Sequence, residues 1–178
     1  MATLAINLEV VAMATTLDFS QTYDAQPSAV RAMITDTDFI TQRAMRTGAT
    51  TVDSEVIDEP GGGTTVVVTR TMPANVPSYA KSFVGETLTV TERQEWTVPE
   101  ADGTGTAVAT AELSAPIAFT GSMSITSDGN VTTVRTFGEY KASIPFVGGK
   151  VEEMAMDQTV RYLTKEQEIG RGWLTGER

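Results

Sequence analysis

The two side chains that serve most often as nucleophiles, general bases and zinc ligands, cysteine and histidine, are absent from the sequence. Their absence excludes thiolate nucleophiles, Cys/His zinc sites and histidine-based catalytic triads. Acid–base chemistry is left to Asp, Glu, Lys and Tyr side chains. Without cysteine there is no disulfide framework, so nothing demands an oxidising compartment. We expect no metal and no cofactor, and we assign no catalytic residue.

One glycine-rich segment, SIPFVGGKVEE, invites comparison with a phosphate-binding loop. That loop has the pattern G-x-x-x-x-G-K-[ST], in which backbone amides bind phosphate and the hydroxyl binds magnesium. Here Val151 follows Gly149-Lys150, and Ile144 occupies the place of the first glycine. The segment therefore lacks both the first glycine and the final hydroxyl residue of the pattern. The segment instead predicts that Pro145 ends a strand and that the glycines redirect the chain into a final helix.

The chain is acidic, with a formal net charge of −10 from 23 acidic and 13 basic residues. Such a surface repels nucleic-acid phosphates and anionic lipid headgroups, so we expect no nucleic-acid partner. No stretch of about 18 uninterrupted apolar residues is present, so we expect no stable membrane insertion. No basic residue precedes the apolar N-terminal segment, which argues against a signal peptide. These features predict a cytoplasmic protein and leave its oligomeric state open.

The order of the predicted elements indicates an α+β domain. A strand that ends near residue 23 precedes two short helices, the first capped by Asp24 with Pro27 in its first turn and the second capped within Asp36-Thr37-Asp38. Thr- and Val-rich alternation then predicts six strands up to residue 144. A long helix over about residues 149–170 follows. This order favours an antiparallel sheet with its helices on one face.

Several polar side chains fall on the apolar faces of the predicted strands. They are Gln21, Arg70, Glu92, Gln94 and Tyr140. Burying each one singly would cost about 1–3 kcal/mol. Either they pair with one another, with Arg70 and Glu92 as the natural pair, or they contact a ligand and water.

A similar polar stripe follows the apolar face of the final helix. Glu152, Thr159 and Glu166 recur every seven residues among Ala155 and Tyr162. One interpretation is that the stripe faces a partly hydrated cavity. The other is that the two glutamates extend to solvent from the helix ends, since glutamate is rarely buried.

The connection MPANVPSYAKSFVGE is too long and apolar for a simple hairpin loop. Tyr79 and Phe83, four residues apart, indicate a helical turn within it. It is interpreted either as a lid over a cavity mouth or as a connection packed against the sheet.

Three segments carry a resemblance to a known family: TLDFSQTYDAQPSAVRAMITDTDFI, RTMPANVPSYAKSFVGETLTVTERQEW and IPFVGGKVEEMAMDQ. They resemble an uncharacterised bacterial domain-of-unknown-function family in the START-like superfamily, also described as birch-pollen-allergen-like or polyketide-cyclase-like. The resemblance covers about residues 15–174 as a single domain and leaves residues 1–14 as an N-terminal extension. It implies a helix-grip fold, in which a curved antiparallel sheet wraps around a long C-terminal helix.

Members of that superfamily bind lipids, sterols or hormones, act as aromatase/cyclases, or serve as co-chaperones. The resemblance therefore implies binding of a hydrophobic or amphipathic small molecule between sheet and helix. The predicted ligand-binding residues are Phe19, Gln21, Arg70, Glu92, Gln94, Trp96, Phe119, Met123, Tyr140, Ala155, Thr159, Tyr162 and Glu166. Two alternatives stay open: a cyclase or dehydratase with Glu92 or Glu166 as base and Tyr140 as proton donor, or a protein-interaction module.

Deleting residues 1–12 is expected to leave the melting temperature unchanged within about one or two degrees, the scale of a surface change. The reason is that the first predicted strand begins only near Thr15, after a second Met-Ala-Thr that starts at Met13. Thermal denaturation of the full and shortened chains measures the difference. A large drop would mean that the segment pairs into the sheet.

Overall fold

Seven antiparallel strands form one curved sheet in the computed structural model, which describes residues 14–177. Three short helices interrupt the order of the strands and a long fourth helix ends it. The elements are β1 (Thr15–Tyr23), α1 (Pro27–Ile34), α2 (Thr37–Arg46), β2 (Thr51–Asp58), β3 (Thr64–Pro73), α3 (Ser78–Val84), β4 (Thr87–Trp96), β5 (Gly105–Leu113), β6 (Ile117–Asp128), β7 (Val131–Ala142) and α4 (Gly148–Leu174).

The strand order in the sheet is β1-β7-β6-β5-β4-β3-β2. Strands β2 to β7 are therefore paired in chain order, and β1 pairs with the last strand, β7. The chain returns across the concave face of this sheet as α4. The predicted α+β helix-grip architecture is thus confirmed, including the two short helices after the first strand.

The helix boundaries differ from the predictions in two places. Helix α1 begins at Pro27 after Gln26, so Asp24 lies too far from the helix to act as its cap and that prediction was wrong. The carboxylate of Asp36 does cap α2, because it accepts hydrogen bonds from the Asp38 and Phe39 amides. Helix α4 spans Gly148–Leu174, longer at both ends than predicted, because its C-terminal turns pack on the α1 and α2 side of the core.

The core follows the strand alternation. Val66 and Val68 on β3 are buried on the face that carries Arg70, as the period of two requires. On α4, Leu163 and Ile169 are buried against that face. Near the C-terminal end the helix approaches so closely that a Cβ on Gly170 would lie 2.8 Å from the Tyr23 ring and 3.3 Å from the Met33 sulfur. Only glycine fits there without movement of these core side chains.

Two glycines face each other on adjacent strands of the sheet. Gly121 of β6 pairs with Gly138 of β7, and the ring of Phe119 lies across both. A Cβ on Gly138 would lie 2.6 Å from Phe119 Cζ, and one on Gly121 would lie 2.8 Å from the same atom. Paired glycines inside strands mark a sharp bend and leave room for a close neighbour. Here the neighbour is an aromatic ring of the concave face.

The predicted N-terminal extension, residues 1–14, falls outside the described residues except for Ala14. Within residues 14–177, no helix combines the length and apolar character that crossing a lipid bilayer requires.

Gly138→Ala is expected to lower the free energy of unfolding by about 1–3 kcal/mol, the usual cost of overpacking. The added methyl group would collide with Phe119 and with the β6 backbone, neither of which can move freely. Gly149→Ala is the control, since a Cβ there meets no atom within 4 Å and the residue is helical. Chemical denaturation measures both, and equal stabilities for the two variants would contradict the close approach.

Candidate functional site

A cavity of about 590 Å³ lies between the concave face of the sheet and α4. Its wall is mostly apolar on the sheet side, where it is formed by Val90, Ala109, Ala111, Ile117, Phe119 and Met123. Solvent-exposed residues at the C-terminal end of α2 and along α4 also line it, which marks where the cavity meets solvent. The cavity exists because α4 crosses the curved sheet without filling the space beneath it.

Arg43 is the hub of a buried ionic cluster on one side of this cavity. It projects from the apolar face of α2, beside Phe39 and Ile40. Its Nη1 lies 2.5 Å from Oε2 of Glu166 on α4 and also donates to the hydroxyl of Tyr162. The Nη2 atom lies 3.5 Å from Oε2 of Glu92.

Arg70 completes the cluster from β3. Its Nη2 lies 2.5 Å from Oε1 of Glu92, which confirms the predicted pair. Its guanidinium carbon lies 3.9 Å from the centre of the Tyr162 ring, a cation–π contact that fixes the orientation of the group. The Nε and Nη1 atoms of Arg70 are buried and have no hydrogen-bond acceptor within residues 14–177.

Arg43 and Glu92 stay ionised inside this cluster. Burial by itself would raise the pKa of Glu92, but the Arg70 and Arg43 guanidiniums outweigh it and hold that pKa below its ordinary value. Burial likewise disfavours the Arg43 cation, and Glu166, Tyr162 and Glu92 together raise its pKa above its ordinary value. Burial raises the pKa of Tyr162, so its phenol stays protonated. Two cations and two carboxylates therefore balance one another.

The polar stripe of α4 faces inward along its whole length. Glu152 is buried and accepts hydrogen bonds from the Ala142 amide at 2.8 Å and from the Thr15 hydroxyl at 3.2 Å. Thr159 lies 2.5 Å from the Tyr140 hydroxyl and lines the cavity. The alternative in which the glutamates extend to solvent was wrong, because backbone and side-chain donors of the sheet and α2 satisfy both carboxylates inside.

Ten of the thirteen residues predicted to contact a ligand line the cavity. They are Arg70, Glu92, Gln94, Phe119, Met123, Tyr140, Ala155, Thr159, Tyr162 and Glu166. Of the others, Gln21 is covered by α4 and donates to the Leu163 carbonyl at 3.0 Å, and Phe19 packs half-buried against the core nearby. Trp96 lies beneath Arg31, whose guanidinium carbon is 5.3 Å from its ring centre. The alternation predicted which side chains of each strand lie on the face toward α4. It did not predict which part of each strand α4 covers.

The most connected residue of the site, Arg43, was not predicted. The helical spacing could have indicated it, because Arg43 lies four residues after Phe39 and three after Ile40, on the apolar face of α2. On a helix wheel, Arg161 and Lys165 of α4 fall on the side opposite the apolar arc. Both are exposed, yet both line the cavity, because a residue at the edge of the apolar arc reaches the mouth.

The predicted helical turn in the long β3–β4 connection is confirmed as α3. Ala80 and Val84 are buried, while Tyr79 and Phe83 are exposed by 44% and 41%. Val84 and Val76 line the cavity. The connection is therefore packed down on one side and forms part of the cavity wall, whereas lid motion stays a prediction.

Solved structures with this architecture cover nearly the whole chain. Protein TTHA0849 from Thermus thermophilus matches with a TM-score of 0.61 and 14% identity over 90% of this chain and 97% of its own. The ZhuI aromatase/cyclase from Streptomyces sp. R1128 matches with a TM-score of 0.60 and 14% identity, over 90% of this chain and 93% of its own. A START superfamily protein from Mycobacterium smegmatis matches with a TM-score of 0.56 and 11% identity, over 90% of this chain and 97% of its own.

These likenesses show the fold, which is the helix-grip architecture. The chain belongs to the family described as "Protein of unknown function (DUF2505)", whose family model matches residues 18–174. No curated protein matches the chain in sequence. The resemblance stated from the sequence is thereby confirmed for a family of unknown function and for the helix-grip fold.

Glu92→Gln is expected to lower the free energy of unfolding at neutral pH by about 3 kcal/mol, because two guanidiniums lose their carboxylate. A carboxyl group with a lowered folded-state pKa stabilises the fold above its unfolded pKa of about 4.3. That stabilisation is lost as the pH falls through the folded-state value. The difference between wild type and variant should therefore be largest near pH 7 and shrink on acidification.

Urea denaturation between neutral pH and about pH 3.5 measures this difference, the lower limit lying below the unfolded glutamate pKa. Glu95→Gln is the matched control, because it lies on the same strand in an exposed pair with Arg93. Its effect should be about 0–1 kcal/mol. A Glu92→Gln difference that stays constant with pH would mean that Glu92 is not ionised in the folded protein.

Proposed function

We propose that this protein binds a hydrophobic or amphipathic small molecule in the cavity between the sheet and α4. The observation that carries the proposal is the cavity itself, about 590 Å³ with a largely apolar wall. Small-molecule sites are typically concave and of about 300–1,000 Å³, with a few fixed polar groups among apolar ones. Transport or sequestration of such a molecule fits a cavity that also meets solvent.

The polar groups of the cavity support binding because they are fixed before any ligand arrives. The Arg70 guanidinium is held by Glu92 on one side and by the Tyr162 ring on another. The Tyr140 hydroxyl is oriented by Thr159 at 2.5 Å. Groups that are already immobilised cost little further conformational entropy when a ligand binds.

The enzyme alternative has weaker support. A general base works best with a pKa near the working pH, which for a carboxylate requires a raised value. The pKa of Glu92 is lowered by its two guanidiniums, so it is a poor base. Burial raises the pKa of Tyr140, which makes it a poorer proton donor. The likeness to an aromatase/cyclase concerns the fold and does not transfer the reaction.

A protein-interaction module would present its apolar surface outward. In this chain a large apolar surface faces the cavity, which favours a small-molecule ligand. The cytoplasmic location and the absence of a nucleic-acid partner are kept as predictions that rest on the composition.

Thr159→Leu is expected to weaken binding of the uncharged fluorescent probe N-phenyl-1-naphthylamine by about tenfold or more. The larger side chain would occupy the cavity at mid-helix, where Thr159 lines it. A tenfold loss corresponds to about 1.4 kcal/mol. Fluorescence titration of the native protein measures the affinity, and thermal denaturation checks that the variant is folded.

Two controls separate bulk from other effects. Thr159→Val also removes the hydroxyl bonded to Tyr140 but keeps the size of the side chain, so it should still bind the probe. Thr164→Leu adds the same bulk on the exposed face of α4 and should also bind normally. A folded Thr159→Leu protein with unchanged probe affinity would place the binding site elsewhere, and uptake only by partly unfolded protein would refute the proposal.

A further inference from the structure

We propose that the ligand of this cavity is an organic anion, with an oxygen-bearing acidic head group at the mouth and an apolar body directed toward the sheet. This inference rests on the proposed binding function and names the chemical class of its ligand. Three observations carry it: the sign of the charges around the cavity, two arginines without ion-pair partners among the described residues, and two buried donors without acceptors there.

The charge around the cavity is opposite to that of the chain. The chain has a formal net charge of −10. Among the described residues, the charged side chains that line the cavity are five basic ones, Arg43, Arg46, Arg70, Arg161 and Lys165, and two acidic ones, Glu92 and Glu166. This leaves a formal surplus of three positive charges at the site. A cleft with low-dielectric walls concentrates such a field and attracts an anion.

The surplus lies at the mouth. Inside, Arg43 and Arg70 are balanced by the two glutamates. Of the exposed cations, Lys165 pairs with Glu168 at 2.7 Å, a carboxylate outside the cavity. Arg46 on α2 and Arg161 on α4 make no salt bridge within residues 14–177. We call these two residues the basic rim. Arginine is the side chain best suited to bind a carboxylate, sulfonate or phosphate group in a fixed geometry.

Arg70 supplies a second, buried contact. Its side chain is only 8% exposed, it lines the cavity, and its Nε and Nη1 donors have no acceptor in the described part of the chain. Leaving a buried donor unsatisfied costs about as much as a lost hydrogen bond, and more when the group is charged. A ligand oxygen that enters the cavity would satisfy such a donor. Hydrocarbon, by contrast, satisfies neither Arg70 nor the basic rim.

The head group and the body of the ligand therefore have different surroundings. Cations and donors lie on the α2, α4 and β3 side, whereas β5 and β6 contribute Ala109, Ala111, Ile117, Phe119 and Met123. An alcohol of the same length would satisfy the apolar wall but leave the surplus charge unmatched. A cationic amphiphile would be repelled by it.

The test compares three amphiphiles that each contain a straight ten-carbon chain and differ in the head group: decanoate, decan-1-ol and decyltrimethylammonium. Each is titrated into the native full-length protein with N-phenyl-1-naphthylamine bound, at concentrations below its micelle formation or, for decan-1-ol, below its solubility limit. We expect decanoate to displace the probe at a concentration at least about tenfold lower than decan-1-ol, since bonds to charged groups contribute the most to binding. Decyltrimethylammonium should be the weakest.

The variant Arg46→Gln/Arg161→Gln removes the basic rim at exposed positions, so it should fold normally and lose most of the preference for decanoate over decan-1-ol. The control Arg93→Gln/Arg135→Gln removes two exposed arginines on the convex face of the sheet and changes the net charge equally. It should keep the preference. The variant Arg70→Gln/Glu92→Gln removes a balanced pair and should weaken decanoate more than decan-1-ol.

The outcomes separate this inference from the proposed function. If the probe binds and the three amphiphiles displace it equally, or if decanoate does not displace it, the anion inference is overturned and the binding function stands. If the control double variant loses the preference as fully as the basic-rim variant, overall charge and not the site is responsible, which also overturns it. If neither the probe nor any amphiphile binds the native protein, the proposed function itself fails.

Discussion

The buried ion cluster centred on Arg43 is the constraint around which the site is built. One guanidinium joins α2 to Glu166 of α4 and to Glu92 of β4, and Glu92 in turn holds Arg70 of β3. Burying charges is costly, and removing one partner from such a group typically costs about 3–5 kcal/mol because the others stay desolvated. Separating the four elements is therefore disfavoured, and the helix is held at a fixed distance above the sheet.

That fixed distance leaves a cavity instead of a filled core. In the curved sheet, Gly121 and Gly138 are paired, and the ring of Phe119 lies over both backbones. Of the α4 side chains that line the cavity, Ala155 and Thr159 are small. A curved sheet beneath a helix encloses space, and small helix residues do not fill it. The same polar groups that hold the fold together are thereby left facing that space.

Stability and the proposed binding function share residues in this arrangement. Tyr162 accepts a hydrogen bond from Arg43, supports Arg70 through its ring and lines the cavity. A polar cluster that is satisfied on one side by the protein and open on the other to a cavity is rigid before the ligand arrives. Rigidity of this kind favours selective recognition, because mismatched ligands leave fixed polar groups unpaired.

Much of the fold could be predicted from the sequence, because periodicity is a local property of the chain. Alternation placed Arg70 and Glu92 on the concave face, and opposite charges on adjacent strands indicated their pairing. The seven-residue repeat of Glu152, Thr159 and Glu166 indicated a polar stripe on the inner face of the last helix. Turn chemistry at the glycines excluded a nucleotide loop. Each of these inferences depends only on residues near one another in the chain or on neighbouring strands.

What the sequence did not determine depends on how distant elements meet. Arg43 lies 123 residues from Glu166, so no local pattern could assign it as the partner of that carboxylate. Gln21 and Leu17 lie on the same strand, but α4 covers Gln21 whereas Leu17 lines the cavity. The difference depends on where along the strand α4 contacts the sheet. Arg161 reaches the cavity mouth although the helix wheel placed it toward solvent. The sequence by itself determined which faces are polar and which are apolar, since this follows from the backbone period. Only the tertiary structure decided which polar groups satisfy one another and which remain for a ligand, because that depends on distances between elements far apart in the chain.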